Sequence, residues 1–240
     1  MSNICSKRKY KNLLVDYRTD ESSIEELRRL GATVYKTTPI KSLYFEIMGH
    51  ADIQIHFVGK KAVCAPESYS YYKSLKLDGI ELICGSNALK SEYPYDIAYN
   101  ACTIGNYLIC RPSHTAIEIL SEYRSLKKDI LSARQGYAKC SICVVNEETA
   151  ITADEGMYKL LKDNKLNVLK INEGYIELYN MKGFIGGASG LIDNKTLCFN
   201  GNLKTHPDCD NIISFCNNVG VDAVSLNSGN LKDIGSILRF

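Results

Sequence analysis

The hydrophobic pattern of the chain repeats five times. Each copy begins with a short apolar run, continues with a stretch whose apolar residues recur at every third or fourth position, and ends with a second apolar run. Short apolar runs predict strands, and the three-and-four spacing predicts a helix. The five leading runs are NLLVDY, KAVCAP, YLICRP, TAITAD and TLCFNG, which begin at residues 12, 61, 107, 149 and 196. The pattern therefore predicts five strand–helix–strand units.

The helical and closing segments of these units end at residues that interrupt regular structure. The helical stretches are SSIEELRRL, SYYKSL, AIEILSEYRSL, GMYKLLKDN and DNIISFCNNVG. The closing strands are ATVYKTTPI, IELICGSN, ILSARQGY, NVLKINEGY and DAVSLNSG. Gly, Asn, Ser and Pro break strands into loops, and acidic or Ser residues near a helix start are typical caps. Each unit is therefore bounded by signals that agree with its apolar pattern.

Four units carry a further strand in front of the leading run, joined to it by a tight turn. These strands lie in DIQIHFVG, ACTIG, CSICVVNEE and GASGLIDNK. The first unit has none, but DIGSILRF, residues 233–240, has the length and character of the missing strand. We predict that its segment GSILRF pairs with NLLVDY and closes the five units into a ring, which removes both terminal edges. An open solenoid is the alternative, but its end units would need polar caps, and both ends here are apolar.

The composition is that of an ordinary globular protein. The 29 basic and 27 acidic side chains leave a net charge of +2 over 240 residues, too little to predict binding to nucleic acid or to an anionic membrane. No apolar run approaches the roughly 18 to 20 residues that cross a bilayer, and the start MSNICSKRKYKN lacks an apolar signal core. Most of the ten cysteines lie within apolar runs, which predicts free thiols and a cytoplasmic location.

Five β-β-α-β units closed into a ring resemble the pentein fold, the α/β propeller of guanidino-group-modifying enzymes and of a ribosome anti-association factor. The pair His50-x-Asp52 looks like the His-x-Asp/Glu of the enzymes. The stretches QGYAKC, GFIGGASG and GNLKTHPD are similar to those of an uncharacterised clostridial-type family of that fold. The resemblance implies one domain over residues 1–240, a five-bladed pseudo-symmetric α/β propeller closed by its C-terminal strand.

In such a ring the first strand of each β-β-α-β unit lines a central channel. Alternate residues of a strand share a face, which predicts that His50, Asp52 and Gln54 face the channel together. The register places residues of the other strands at the same height in the channel. They are Asp96, Ala98 and Asn100 in the second lining position, Cys140 in the third, Gly187 with Ser189 in the fourth, and Gly235 or Ser236 in the closing strand.

The resemblance implies a cysteine-dependent hydrolase or amidinotransferase that acts on a guanidine, an amidine or a related small metabolite. Cys140 would attack the guanidinium carbon, with Lys139 stabilising its thiolate. His50 would move protons, oriented by Asp52, and Asp96 would hold the substrate. Ligand binding in the channel is assigned to the remaining lining residues, with no metal and no cofactor: Gln54, Asn100, Cys102, Gly187 and Ser189.

Two departures from the enzyme pattern leave alternatives open. The enzymes place the nucleophile near the C-terminus, where this chain has Ile234-Gly235-Ser236, and their histidine lies in a later unit. Cys102 is an alternative nucleophile, because it lies in the unit that follows His50. A non-catalytic propeller that binds a small molecule or a macromolecule is the alternative function.

Three other motifs have plainer interpretations. In KCSICVV, a strand would point Cys140 and Cys143 to opposite faces, so a shared metal is not expected. The glycines in GFIGGASG precede a predicted hairpin and not a helix, which excludes a dinucleotide loop. His56 is interpreted as a core or interface residue, and His206 as part of a loop before a helix whose cap is Asp208 or Asp210.

Overall fold

A computed structural model describes residues 11–240 of the chain. Within them, five three-stranded sheets follow one plan, with the leading strand of each unit in the middle. The middle strands are β1 (Lys11–Val15), β4 (Lys61–Cys64), β7 (Tyr107–Cys110), β10 (Thr149–Thr152) and β15 (Thr196–Phe199). The predicted start without a signal core, its basic run and Cys5 lie outside the described residues.

Each middle strand has one parallel and one antiparallel neighbour. The parallel neighbours are β2 (Ala32–Lys36), β5 (Glu81–Cys84), β8 (Asp129–Ser132), β11 (Asn167–Lys170) and β16 (Asp222–Ser225). The antiparallel neighbours, which we call the inner strands, are β17 (Leu238–Arg239), β3 (Ile55–Val58), β6 (Cys102–Ile104), β9 (Cys143–Val144) and β14 (Ser189–Asp193). All fifteen strands lie in segments for which the sequence predicts strands.

A helix connects each middle strand to its parallel neighbour, as parallel pairing requires. These helices are α1 (Glu21–Arg29), α3 (Pro66–Leu75), α4 (Ile117–Ser125), α6 (Glu155–Asp163) and α7 (Cys209–Asn217). Each presents buried residues at helical spacing to its sheet, for example Met157 and Leu161 of α6. The same helix is capped by Asp154, whose carboxylate accepts a hydrogen bond from the Met157 amide. In the described part of the chain, no helix is both long enough and apolar enough to span a bilayer.

The two ends of the described chain share one sheet. Strand β17 pairs antiparallel with β1, with Leu13 opposite Arg239 and Leu14 opposite Leu238. The Phe240 amide also donates to the Asn12 carbonyl at 3.0 Å. The predicted pairing of GSILRF with NLLVDY is confirmed at Leu238 and Arg239, so the first unit obtains its inner strand from the other end of the sequence.

Two inner strands begin later than the sequence predicts, because a short helix precedes each of them. Helix α2 (Ala51–Gln54) precedes β3, and helix α5 (Ala138–Ser141) precedes β9. The strand predictions for His50 to Gln54 and for KCSICVV are therefore wrong at these residues. Residues 96–101, also predicted as strand, form a turn before β6. An apolar run of four residues does not distinguish a strand from a helical turn, which is why the pattern failed there.

The core lies between the sheets and the outer helices. Tyr72, Tyr123 and Phe199 are among its largest buried side chains. His56 is buried, and its Nε2 lies 2.9 Å from the Tyr123 hydroxyl. The interpretation of His56 as a core or interface residue is confirmed. A further hairpin of β12 (Glu177–Leu178) and β13 (Met181–Lys182) had no signal in the apolar pattern.

Candidate functional site

The turns in front of the inner strands meet in one buried polar cluster, which we call the hub. Backbone hydrogen bonds join these turns: the Asp52 amide donates to the Gly235 carbonyl, the Gly187 amide to the Cys140 carbonyl, and the Ser236 amide to the Gly187 carbonyl. The members of the hub are all at most 3% exposed: His50, Asp52, Asn100, Cys140, Asp233 and Ser236. Residues far apart in sequence are thereby placed in contact.

Asp52 is the centre of the hub. Its Oδ2 accepts a hydrogen bond from the Cys140 thiol at 3.2 Å and lies 2.5 Å from the Ser236 hydroxyl. The Asn100 amide donates to Cys140 Sγ at 3.0 Å. Burial, together with the charges of Asp52 and Asp233, raises the pKa of Cys140 well above its ordinary value. Cys140 is therefore a neutral thiol that donates its proton to a carboxylate.

Asn100 holds the short helix that carries the thiol. Its Oδ1 accepts from the Lys139 amide at 2.8 Å and from the Cys140 amide at 3.4 Å, while its Nδ2 contacts the sulfur. These amides belong to the first turn of α5 and have no partner within the helix. One side chain thus caps α5 and fixes the direction of the thiol.

The carboxylate beside His50 is Asp233, and the predicted orientation of His50 by Asp52 is not observed. Asp233 Oδ1 lies 3.8 Å from His50 Nδ1 and accepts from the Gly235 amide at 2.9 Å. Asp233 Oδ2 accepts from the Phe184 amide at 2.9 Å. Burial raises the pKa of Asp233, which the His50 charge opposes. The sequence pattern gave no role to Asp233, although it begins the segment that supplies the missing strand.

Asp96 forms the edge of the hub together with two tyrosines. Its Oδ2 accepts a hydrogen bond from the Tyr137 hydroxyl, which lies 3.2 Å from the Tyr44 hydroxyl. Its Oδ1 is buried and has no partner among the described residues. Burial raises the pKa of Asp96, and the Tyr137 hydrogen bond opposes this. Tyr44 lies in an irregular segment without a periodic signal, and Tyr137, the last residue of the predicted closing strand ILSARQGY, lies in an irregular segment beyond the end of β8.

The predicted binding residue Gln54 is fully engaged elsewhere. Gln54 donates to the Thr38 and Met48 carbonyls at 2.7 and 2.9 Å and accepts from the Tyr72 hydroxyl at 2.8 Å. A helix turns about 100° per residue, so residues two apart on α2 point in nearly opposite directions, unlike residues two apart on a strand. The shared face predicted for Asp52 and Gln54 is therefore wrong, and Gln54 packs away from the hub.

The other predicted ligand residues have structural contacts. Cys102 is buried in β6, and burial raises its pKa to about 12. The Ser189 hydroxyl donates to the Ile185 carbonyl at 2.7 Å. Gly187 leaves room for Asp233, whose Oδ1 would lie 2.1 Å from a Cβ at this position. These residues build the walls around the hub.

Lys139 does not contact the Cys140 thiol as predicted. Its Nζ lies 3.1 Å from the Ser236 hydroxyl and 3.5 Å from the Gly186 carbonyl. The two cysteines of the Cys-x-x-Cys pair belong to different elements, Cys140 to α5 and Cys143 to β9. The side-chain hydrogen bonds of the ammonium therefore lead to Cys140 through Ser236 and Asp52.

Two remaining loop predictions are settled by local contacts. The stretch from Gly183 to Gly190 leads into the hairpin of β14 and β15, as predicted. His206 precedes α7, and its Nδ1 accepts from the Asp208 amide at 3.1 Å. Asp208 occupies the N-cap position of α7, but its side chain makes no capping hydrogen bond there and accepts instead from the Asn172 amide.

A cavity of about 300 Å³, the channel cavity, lies beside the hub. Residues of all five inner strands line it, together with Asp52 and Lys139 at the hub end. The wall residues from the inner strands are Ile55, His56, Phe57, Thr103, Val144, Ser189, Gly190, Leu191, Leu238 and Arg239. The inner strands therefore surround a common space.

The hub and its edge contain more buried carboxyl groups than basic side chains. The carboxyl groups are those of Asp52, Asp96 and Asp233, and the only imidazole among the hub residues is that of His50. Within the described residues, Asp52 Oδ1, Asp96 Oδ1 and His50 Nδ1 are buried without a hydrogen-bond partner. Buried acceptors without partners carry a cost that a bound donor would remove. The arrangement therefore suits a small cation with several N–H donors.

Several solved structures resemble this chain. DDAH from Pseudomonas aeruginosa, complexed with citrulline, is 10% identical, and the alignment covers 96% of this chain and 99% of that one with a TM-score of 0.61. Agmatine deiminase from C. jejuni is 10% identical over 96% of this chain and 92% of its own, with a TM-score of 0.56. Inosamine-phosphate amidinotransferase from Streptomyces griseus is 14% identical over 94% and 93%, with a TM-score of 0.55.

These neighbours are guanidino-modifying enzymes of the pentein fold, and the likeness shows that this chain has the same mixed α/β fold. The chain belongs to the family of unknown function DUF6873, which matches residues 14–238. No curated protein matches the sequence.

Proposed function

We propose that the protein is a cysteine-dependent hydrolase or amidinotransferase that acts on a small guanidine or amidine at the hub. The observation that carries this proposal is the buried excess of carboxylates around Cys140, with unpartnered oxygens on Asp52 and Asp96. A guanidinium group is planar, keeps its charge when desolvated and offers five N–H donors in a fixed geometry. It would satisfy these oxygens and balance their charge.

The raised pKa of Cys140 gives the bound cation a role in the reaction. Burial and the charges of Asp52 and Asp233 keep the thiol protonated, and a guanidinium beside them offsets both carboxylates. The thiolate then forms only when the substrate is bound. The thiol proton passes to Asp52, Sγ attacks the guanidinium carbon, a C–N bond breaks, and the departing amine takes a proton from His50. Water, or a second amine in a transfer reaction, then attacks the same carbon and returns a proton to His50, the C–S bond breaks, and the thiolate recovers its proton from Asp52.

Binding without turnover is the second candidate function. Cys140 is only 3% exposed and is held by Asp52 and Asn100, and Ser236 stands where the resembling enzymes have their nucleophile. In the described residues, the hydrogen-bond partners of the Ser236 hydroxyl are Asp52, the Gly186 carbonyl and Lys139, and no histidine is among them. On this reading the hub recognises a guanidine-type ligand or stabilises a surface that binds a partner.

The wider architecture is part of the proposal. We infer that residues 1–240 form one domain in which the five sheets are the blades of a closed propeller around the channel cavity. The pairing of β1 with β17 and the lining of one cavity by five inner strands support closure. A cytoplasmic location is supported by the nine cysteines of residues 11–240, all of which are free thiols. The likeness to a clostridial-type family of the fold stays a prediction and assigns no activity.

Turnover of a guanidine panel tests the proposal. The wild type, Cys140→Ser and Cys102→Ser would be incubated with arginine, agmatine, dimethylarginine and benzamidine, and release of ammonia or amine would be measured. Cys84→Ser is the matched control, because Cys84 is an exposed thiol in β5 and is not a member of the hub. We expect release by the wild type and by the Cys84→Ser and Cys102→Ser variants, and loss of release in Cys140→Ser.

Thermal shift and calorimetry with the same compounds separate the two candidates. Binding that is lost in Asp96→Asn, without release of any product, would establish the non-catalytic function. If no compound binds and none protects Cys140 from alkylation, both candidate functions at the hub are wrong.

A further inference from the structure

The channel cavity is a space distinct from the hub, although the two share a boundary. Its volume of about 300 Å³ lies at the lower end of the range for small-molecule sites. About half of its wall consists of apolar side chains, among them Ile55, Val144 and Leu238. Lys139 and Asp52 line its hub end.

Lys139 brings an unpaired cation to this cavity. Among residues 11–240 its ammonium forms no ion pair with any carboxylate. Its hydrogen-bond partners there are two neutral oxygens, of Ser236 at 3.1 Å and of Gly186 at a long 3.5 Å. An ammonium group has three donors, so at least one is left for another acceptor. Charged groups that are partly removed from water are normally paired.

The other polar groups at the cavity are already engaged. Asp52 borders it, but Oδ2 is held by Cys140 and Ser236, and Oδ1 is buried. The Thr103 hydroxyl contacts the Tyr123 hydroxyl. Arg239 is exposed and its guanidinium reaches Asn194 at 3.4 Å. Lys139 is therefore the group at the hub end of the wall with a free charge-assisted donor, while Arg239, the other cation of the wall, is exposed to solvent.

We propose that the channel cavity binds a small aliphatic carboxylate, whose carboxyl group pairs with the Lys139 ammonium and whose hydrocarbon tail lies against the apolar inner strands. A single ammonium complements a single negative charge, and the apolar wall favours a short hydrocarbon chain. A phosphate dianion would need several converging N–H donors, which this wall does not offer. The proposal does not rest on the function of the hub.

The site is connected to the hub through a chain of hydrogen bonds. Lys139 contacts Ser236, Ser236 contacts Asp52 Oδ2, and the Cys140 thiol donates to that same oxygen. A carboxylate that takes a donor of Lys139 therefore acts on the first member of a relay that ends at the thiol.

A thermal-shift titration tests the binding site. The probes are sodium acetate, propionate and butyrate, with sodium chloride at equal sodium concentration as the reference and sodium phosphate as the competing anion. We expect saturable stabilisation that grows with chain length, is weakened by about 10-fold or more in Lys139→Met, and is retained in Lys139→Arg. Lys159→Met is the matched control, because Lys159 is an exposed lysine on outer helix α6.

Methyl NMR of the wild type gives a second measurement that needs no variant. Butyrate should shift the methyl signals of Ile55, Val144 and Leu238 and leave those of Val219, at the end of α7 and absent from the cavity wall, unchanged. The proposal is overturned if no carboxylate stabilises the protein saturably, if Lys139→Met responds as the wild type does, if phosphate alone stabilises, or if the shifts map elsewhere.

Discussion

Asp52 shows how much of this structure depends on one side chain. Its backbone belongs to α2, in front of the inner strand of the second unit, and its Oδ2 reaches the thiol of the fourth unit and the hydroxyl of the chain's last segment. A buried carboxylate is stabilised by the two hydrogen bonds that it accepts. Its negative charge also raises the pKa of the neighbouring thiol and so opposes ionisation of that thiol. The same residue therefore holds three units together and suppresses the reactivity of Cys140.

Replacing Asp52 by Asn should make Cys140 more acidic and the protein less stable. Loss of the negative charge removes one cause of the raised pKa of Cys140, and loss of one acceptor from a buried network costs about 1–3 kcal/mol. Alkylation of each thiol, followed by peptide-resolved mass spectrometry across a pH range, measures the first effect. Urea unfolding measures the second.

General opening of the destabilised variant would also expose thiols, so a reference thiol is needed. Cys64 is fully buried in β4, and Asp52 is not among the groups that shift its pKa. We expect the ratio of Cys140 to Cys64 labelling to rise in Asp52→Asn. An unchanged ratio would show that Asp52 does not control the thiol.

His56 should make stability depend on pH between about 4 and 6.5. Burial lowers its folded pKa from 6.5 to about 4, so the unfolded chain takes up the proton first as the pH falls. Its contribution is complete above pH 6.5 and is lost progressively as the pH falls towards 4, up to about 3 kcal/mol. Urea unfolding at several pH values should show this slope, and His56→Gln should flatten it.

Asp96 and Asp233 titrate with the opposite sign, because their raised pKa values favour the protonated carboxyl in the folded state. The free energy of unfolding is measured against pH for the wild type and for His56→Gln. The difference between the two curves removes the contribution of Asp96 and Asp233, which both proteins share. His114→Gln, at a partly exposed histidine, serves as the control. A wild-type slope that persists in His56→Gln would assign the pH dependence to another group.

At the scale of elements, the short helices α2 and α5 determine what the hub contains. Each spans only four residues and turns the chain once before an inner strand begins. Through α2, Asp52 enters the hub while Gln54 packs outward against Tyr72. Through α5, Cys140 faces Asp52 and Asn100 while Cys143 continues into the sheet. The turn in front of a strand, and not the strand itself, supplies the polar side chains.

This division explains what could be predicted from the sequence. The fifteen strands of the five sheets and the five outer helices could be predicted, because each apolar run repeats with the same neighbours. The turns could not, since four residues hold less than two helical periods and fit either geometry. The sequence predicts His50, Asp52, Asn100 and Cys140 as a group, but on a strand geometry that none of the three segments holding them has.

Other members of the site were missed for a different reason. Asp233 acts beside His50 only because the first sheet takes its inner strand from the far end of the sequence. Tyr44 and Tyr137 come from irregular segments, whose positions depend on tertiary packing alone. Lys139 was recognised, but its side chain points to the channel cavity and Ser236.

The close approach of two turns makes Gly187 a sensitive position. A Cβ there would lie 2.1 Å from Asp233 Oδ1 and 2.3 Å from its Cγ, so the carboxylate that faces His50 would have to move. Gly187→Ala should therefore destabilise the protein by about 3 kcal/mol, because a packed interior cannot absorb the added methyl group. Urea unfolding measures the change.

Gly229→Ala is the control for this substitution. Its Cβ would meet only Asn227 Oδ1 at 3.2 Å, in an exposed loop, and we expect a change within about 1 kcal/mol. Equal effects of the two substitutions would mean that Asp233 moves without cost and that the hub is not tightly packed.

For the whole molecule, the decisive feature is that a sheet is shared between the two chain ends. In the other four units a tight turn joins the inner strand to the middle strand, as Gly59 and Lys60 join β3 to β4. Strand β17 stands in the same antiparallel relation to β1, although the chain does not connect them. If the units form a closed propeller, every unit has two neighbours and none is distinguished as the first. The ends of the chain can then be moved to another unit without changing the packing.

A circular permutant tests this consequence. Phe240 would be joined to Lys11 by Asn-Gly, the pair that favours a two-residue hairpin turn, because Phe240 already donates to the Asn12 carbonyl. New ends would be opened between Asp78 and Gly79, both exposed in the turn between α3 and β5. A linear chain of residues 11–240 is the reference, since it lacks the same ten residues.

We expect the permutant to fold with a Tm within about 5 °C of that reference, because the join replaces a chain break by a turn that the other units already contain. A second permutant with the same new ends and Asp233→Asn should be less stable than the first by the amount that this substitution costs in the linear chain, since the hub is unchanged by where the chain begins. If the linear chain folds and the permutant does not, the covalent order of the units matters to the packing, and the closed five-bladed arrangement is wrong.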